Sequence, residues 1–108
     1  MAYSFHVYII TNSTKSVLYT GFTNDLAQRL TEHYINKGKE KTFAGKYHSY
    51  YLLYYEFHKY VNNAIDREKQ IKGWTRAKKL DLIKSINPNL LFLNKEVMEW
   101  PPSRLYHR

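Results

Sequence analysis

The chain has 108 residues, enough for one domain and too few for two. Apolar residues make up 44%, which excludes wholesale disorder, and the absence of cysteine excludes disulfide frameworks, thiolate metal sites and cysteine nucleophiles. Seventeen Lys and Arg against nine acids give a net charge of +8, so a polyanion, nucleic acid first among them, is the expected partner.

From the N-terminus, Phe5, Val7 and Ile9 alternate with His6, Tyr8 and Ile10, the period of a strand. The polar run from Thr11 to Ser16 reads as a turn and Val17 to Phe22 as a second strand. Together they predict an antiparallel hairpin whose second strand is closed by Gly21. If the register pairs Tyr8 with Tyr19, both phenols emerge from one face. Thr23 or Asn24 is expected to cap a helix, with Asp25 at its positive end and Leu26, Leu30 and Tyr34 along its stripe.

A basic loop spans residues 37 to 48. Ser49 to Phe57 then forms a strand that is apolar on both faces and is therefore expected to be central. Asn62 or Asn63 is expected to cap a helix ending at Lys72, and Thr75 another that runs to about Ser85 before Asn87-Pro88 blocks it. The order β-β-α-β-α-α plus a C-terminal element predicts an α+β domain, a three-stranded antiparallel sheet flanked by helices. Residues 1–87 make its body, and residues 88–108 an extension packed on it and frayed at the end.

No stretch approaches the roughly 20 apolar residues of a membrane span. The start, MAYSFHVYII, lacks the basic segment of a signal peptide, so a cytoplasmic protein away from membranes is expected. The positive charge is clustered. Residues 67–79 hold six cations and one acid, and Lys37, Lys39, Lys41 and Lys46 share the loop with Glu40. A purely solubilising surface mixes its signs, whereas a phosphate-binding surface gathers cations. Lys72, Arg76, Lys78 and Lys79, with the four loop lysines, are the expected phosphate contacts.

Glu68 breaks the pattern of its helix, because it falls in the stripe of Val61, Ala64, Ile65 and Ile71. A carboxylate there needs a hydrogen bond, a cation or an arginine, so it is either an ion-pair member or a metal ligand. Arg29 and His33 lie one turn apart, either as exposed polar residues or as a phosphate-stabilising guanidinium and a proton-transferring imidazole. With Tyr8 and Tyr19 these residues would form a polar pocket suited to phosphodiester hydrolysis.

Val7-Tyr8-Ile9, then Tyr19-Thr20-Gly21, then Asn24-Asp25-Leu26 with Arg29 and His33, then Arg67-Glu68 leading to Gly73-Trp74, resembles the GIY-YIG endonuclease domain. The likeness covers about residues 3–87 and is strongest to small members related to the N-terminal nuclease domain of the excision-repair subunit UvrC. It implies catalytic roles for Tyr8, Tyr19, Arg29, His33 and Glu68, the tyrosines orienting or deprotonating water and Arg29 stabilising the transition state. It makes Glu68 the ligand of one Mg²⁺ or Mn²⁺, and Gly21 the glycine that lets the chain turn beside the pocket.

Departures from the family pattern are His6, Val7 and Thr20, where Gly, Ile and Ile are usual. A further polar residue, often Asn, has Asn87 and Asn89 as candidates, and no appended DNA-recognition domain is evident. The expectation is a divalent-metal-dependent DNA endonuclease, acting in repair or recombination on DNA structure rather than sequence. A partner protein could supply its targeting. The alternative is a nucleic-acid-binding module with this fold and no turnover, for which an acid in the phosphate pocket would be a handicap.

Overall fold

The computed structural model describes residues 4–37 and 46–103. Strand β1 (Phe5–Thr11) turns into β2 (Leu18–Thr23), followed by helix α1 (Leu26–Ile35), strand β3 (Tyr51–His58), and helices α2 (Val61–Lys72), α3 (Arg76–Ile86) and α4 (Asn94–Val97). The sheet is antiparallel with strand order β2-β1-β3. It is the α+β architecture expected from the sequence, with one exchange of places. β1, not β3, is central. β3 reads as central because helices cover both its faces and its outer edge is covered too, as described below.

The alternation in β1 sorts the core into two layers. Val7 and Ile9 pack with Ala64 and Ile71 of α2, Ile83 of α3, and Leu53 and Tyr54. Tyr8 and Ile10 pack with Leu26 and Leu30 of α1 and with Leu52, against Leu93, Val97, Met98 and Trp100 of the C-terminal segment. Residues beyond 87 are thus part of the second layer; residues 104–108, where fraying is expected, lie outside the described residues.

Between Ile9 and Ile10 the β1–β3 register shifts, so Leu53 is an extra residue, a bulge whose backbone has no strand partner opposite. Asn87 supplies one: its Nδ2 donates to the Leu53 carbonyl at 3.0 Å and to Leu91 O at 2.9 Å, while its Oδ1 accepts from Leu91 N. Asn94 does the same for the outer edge, donating to Tyr50 O and accepting from Leu52 N, and Leu93 N donates to Leu52 O. Asn87 is therefore fully used as a structural lock, and Asn89 is exposed on the following turn.

Two of the three helix starts differ in detail from expectation. Thr23 bonds the backbone of Asp25, and Asp25 itself caps α1 by accepting from Gln28 N at 3.0 Å. α2 begins at Val61 with Tyr60 as a cap that makes no side-chain bond, which leaves Asn62 and Asn63 within the first turn. Thr75 caps α3 as expected, accepting from Lys78 N.

Candidate active site

Register decides which side chains meet. Tyr8 faces Gly21 and Ile10 faces Tyr19, so the two tyrosines are diagonal neighbours on one face rather than a direct pair. Gly21 lies inside β2 and its role is space. A Cβ there would come within 2.5 Å of Tyr8 Oη and 2.6 Å of Cζ. The phenol lies across the bare backbone, which corrects the sequence-based view of Gly21 as a turn residue. Gly21→Ala should push the ring out of place, lowering stability by about 1–3 kcal/mol and any turnover with it. Denaturant midpoints and a cleavage assay would read the two effects.

The Tyr8 hydroxyl is held from α1. Arg29 Nε donates to it at 3.4 Å, and it lies 3.0 Å from His33 Nε2. A guanidinium only donates, so the phenol oxygen accepts from Arg29, and the direction of its bond to His33 is set by the imidazole tautomer. In the tautomer with the proton on Nδ1, Nε2 is bare and accepts the phenol hydrogen. The His33 ring also stands edge-on to Tyr8 and to Tyr19, with centroids 5.9 and 5.6 Å away. The second Arg29 contact is Glu32, whose Oε1 lies 3.0 Å from Nη1.

Burial pushes the Tyr8 phenol up to about 12, although the Arg29 hydrogen bond and charge oppose it. Burial, aided by the Arg29 charge, pulls His33 down to about 4. Burial also works against the Arg29 charge, but its bonds to Tyr8 and Glu32 outweigh this and make it more basic than usual. At neutral pH the chain is thus guanidinium, phenol, neutral imidazole.

The His33 shift has a stability consequence with a definite sign. The unfolded imidazole binds a proton near its ordinary 6.5, and the folded one refuses it until about 4. This contribution is complete above pH 6.5 and is lost as pH falls towards 4. The loss should amount to about 3 kcal/mol at the acid end. Urea midpoints from pH 4 to 7 should flatten in His33→Gln relative to wild type.

Glu68 and Lys72 come from α2, in the other layer. Because β2 is an edge strand, α2 and the Tyr8 face come within electrostatic reach of each other there. The Glu68 charge acts on the Tyr8 phenol, and Lys72 Nζ stands 6.0 Å from the centre of the Tyr19 ring. Glu68 Oε2 and Lys72 Nζ are 3.4 Å apart.

Behind Glu68 is a network that the sequence reading missed. Glu56 accepts from Tyr54 Oη, is joined to His58 Nε2, and takes Arg67 Nε between its two oxygens at 3.2 and 3.1 Å. It fastens Arg67, and with it the neighbouring Glu68, to β3. The signal was present: Tyr54, Glu56 and His58 put three polar groups on one face of an otherwise apolar strand.

Of the five sequence-derived residues, Arg29 and His33 hold the Tyr8 hydroxyl, Tyr19 packs on His33, and Glu68 acts on the phenol through its charge. The chain matches the GIY-YIG catalytic domain over residues 4–81. It belongs to the GIY-YIG family. UPF0213 proteins of Staphylococcus aureus strains Mu3 and Mu50 are each 38% identical to it over 81 residues, which cover 75% of this chain and 95% of theirs. The solution NMR structure of the UPF0213 protein BH0048 from Bacillus halodurans superimposes with a TM-score of 0.51. That match has 26% identity and covers 85% of this chain and 93% of that one.

The expected phosphate contacts of this GIY-YIG domain divide into groups. Lys39 and Lys41 lie outside the described residues. Lys37 and Lys46 stand over the rings of Tyr34 and Tyr47, and Lys78 stands 4.4 Å over Trp74, whose ring also faces Arg67. Arg76 donates to the carbonyls of Lys15 and Ser16 at 2.7 and 3.2 Å, so its guanidinium tethers α3 to the β1–β2 turn. Lys79 is half-buried on α3.

Among the described residues, no helix is long and apolar enough to cross a membrane. Nor does any group of three or more His, Asp or Glu side chains surround a common point. A cation at this site would have Glu68 as its protein carboxylate and would complete its shell from water and phosphate oxygens. Mg²⁺ accepts such a shell, because it dehydrates reluctantly and binds through one or two carboxylates plus substrate phosphates. The residues fit.

Proposed function

We propose that this protein is a divalent-metal-dependent endonuclease acting on DNA. The observation that carries the reading is the hydrogen-bonded chain from Arg29 through the Tyr8 hydroxyl to Nε2 of His33, with the Glu68 charge within reach of the phenol. A phenol raised to about 12 stays protonated at rest, so by itself it has no free site to take a proton from water. With an acceptor already hydrogen-bonded to it, it can take a proton from water while passing its own to His33.

The resulting hydroxide attacks phosphorus and a new P–O bond forms. The opposite P–O bond then breaks, the leaving oxygen takes up a proton from solvent water, and His33 returns the proton it received to solvent. Arg29 keeps N–H groups beyond those bound to Tyr8 and Glu32 for the charge that builds on the phosphoryl oxygens. His33 stands edge-on to both Tyr8 and Tyr19 and so steadies the phenol. A cation on Glu68 would polarise the phosphoryl oxygen and steady the leaving group. Lys72, Lys78 and the lysines at the mouth of the loop supply phosphate affinity without reading sequence.

The test is incubation of the purified protein with supercoiled, nicked and branched DNA in Mg²⁺, Mn²⁺ or EDTA. Cleavage that EDTA abolishes supports the reading. Binding with no cleavage under any condition would replace it with the nucleic-acid-binding module.

A further inference from the structure

The Glu68–Lys72 pair is more than a surface ion pair between residues one turn apart. The Glu68 side chain is only 15% exposed, whereas that of Lys72 is 50% exposed. The carboxylate is thus set into the site and the ammonium stands at its mouth, facing the Tyr19 ring. A carboxylate so placed is tolerated only while a cation neutralises it. Lys72 is the cation that the chain itself provides, on a flexible stem whose donors can turn to another anion.

Resting on the endonuclease reading above, we propose that Lys72 is an exchange residue. It neutralises Glu68 in the free protein and moves to a DNA phosphate when substrate arrives, which leaves Glu68 open to the divalent cation. Charge stays balanced throughout, because each anion trades one cation for another. The exchange makes DNA and metal binding mutually reinforcing, and by linkage the gain is the same in either direction. The protein would then hold its metal weakly until a phosphodiester is in place.

The test measures Mn²⁺ affinity by electron paramagnetic resonance, with and without a phosphorothioate oligonucleotide, so that turnover plays no part. In wild type the oligonucleotide should tighten Mn²⁺ binding by about tenfold. In Lys72→Met, Mn²⁺ alone should bind several-fold more tightly, and the gain from the oligonucleotide should fall below about threefold. Lys72→Arg should retain the gain.

Lys69→Met is the control, since Lys69 is an exposed lysine on the same helix and its loss changes net charge equally. It should behave as wild type. If Lys69→Met and Lys72→Met give the same changes, only the general field is at work and the exchange is overturned while the endonuclease reading stands. If wild type binds no Mn²⁺ in either condition, or Glu68→Gln binds it equally well, the metal role of Glu68 and the exchange both fall.

Discussion

Glu68→Gln should give a folded protein that binds DNA and does not cut it. The amide keeps the size of the carboxylate and some hydrogen bonding, and it removes the charge that a divalent cation requires. Withdrawing a Lewis acid from a phosphoryl transfer costs several kcal/mol, so cleavage should fall by a factor on the order of 10³. DNA affinity in EDTA should hold or improve, because a negative charge beside the phosphates has gone and Lys72 is released from its pair at 3.4 Å. Comparing cleavage, EDTA-state affinity and thermal unfolding separates the outcomes. Unfolding would make Glu68 a structural ion-pair member, and undiminished cleavage would move the chemistry to other residues.

Arg29→Ala should lower turnover by a factor on the order of 10² with little change in DNA affinity. The geometry gives two reasons beyond the lost charge. Arg29 donates to the Tyr8 hydroxyl and so holds the phenol oxygen against His33. Its charge also helps to hold His33 neutral. Without it the phenol can turn and the imidazole becomes easier to protonate, so the pH at which activity is lost on acidification should rise in the variant. Arg29→Lys should stay impaired, because one ammonium cannot reach Tyr8 Oη, Glu32 and a phosphate with the guanidinium's planar fork. Equal losses in binding and rate would recast Arg29 as a phosphate anchor.

Periodicity carried much of the fold. The two-residue alternation of β1 sorted Val7 and Ile9 from Tyr8 and Ile10, and the structure puts a separate helical layer on each set. Glu68 stood out because one carboxylate interrupts an apolar stripe. What periodicity cannot carry is register and competition. Nothing local says that Tyr8 faces Gly21 rather than Tyr19, since the length of the β1–β2 turn settles it. Thr23, Asn24 and Asp25 can all cap a helix, and the choice of Asp25 follows from Thr23 being spent on the turn before it.

The misplacement of β3 has the same physical origin. An apolar strand is read as central when its edge is assumed to need another strand, and here side-chain amides took that place. Arg76 was legible as a cation but not as a tether, because its partners are backbone carbonyls sixty residues away.

The two asparagines that close β3 also define where the working unit ends. The catalytic-domain match stops at residue 81, yet Asn87 and Asn94 hold the backbone of Tyr50, Leu52 and Leu53. A version trimmed at the end of α3 would keep every candidate catalytic side chain and lose this cover. It would present a ragged row of unsatisfied amides and carbonyls on a strand of high β propensity, which is a template for strand addition from other copies. Self-association into sheet-rich aggregates is the failure to expect of such a trimmed protein, and inactivity in it would say nothing about the chemistry.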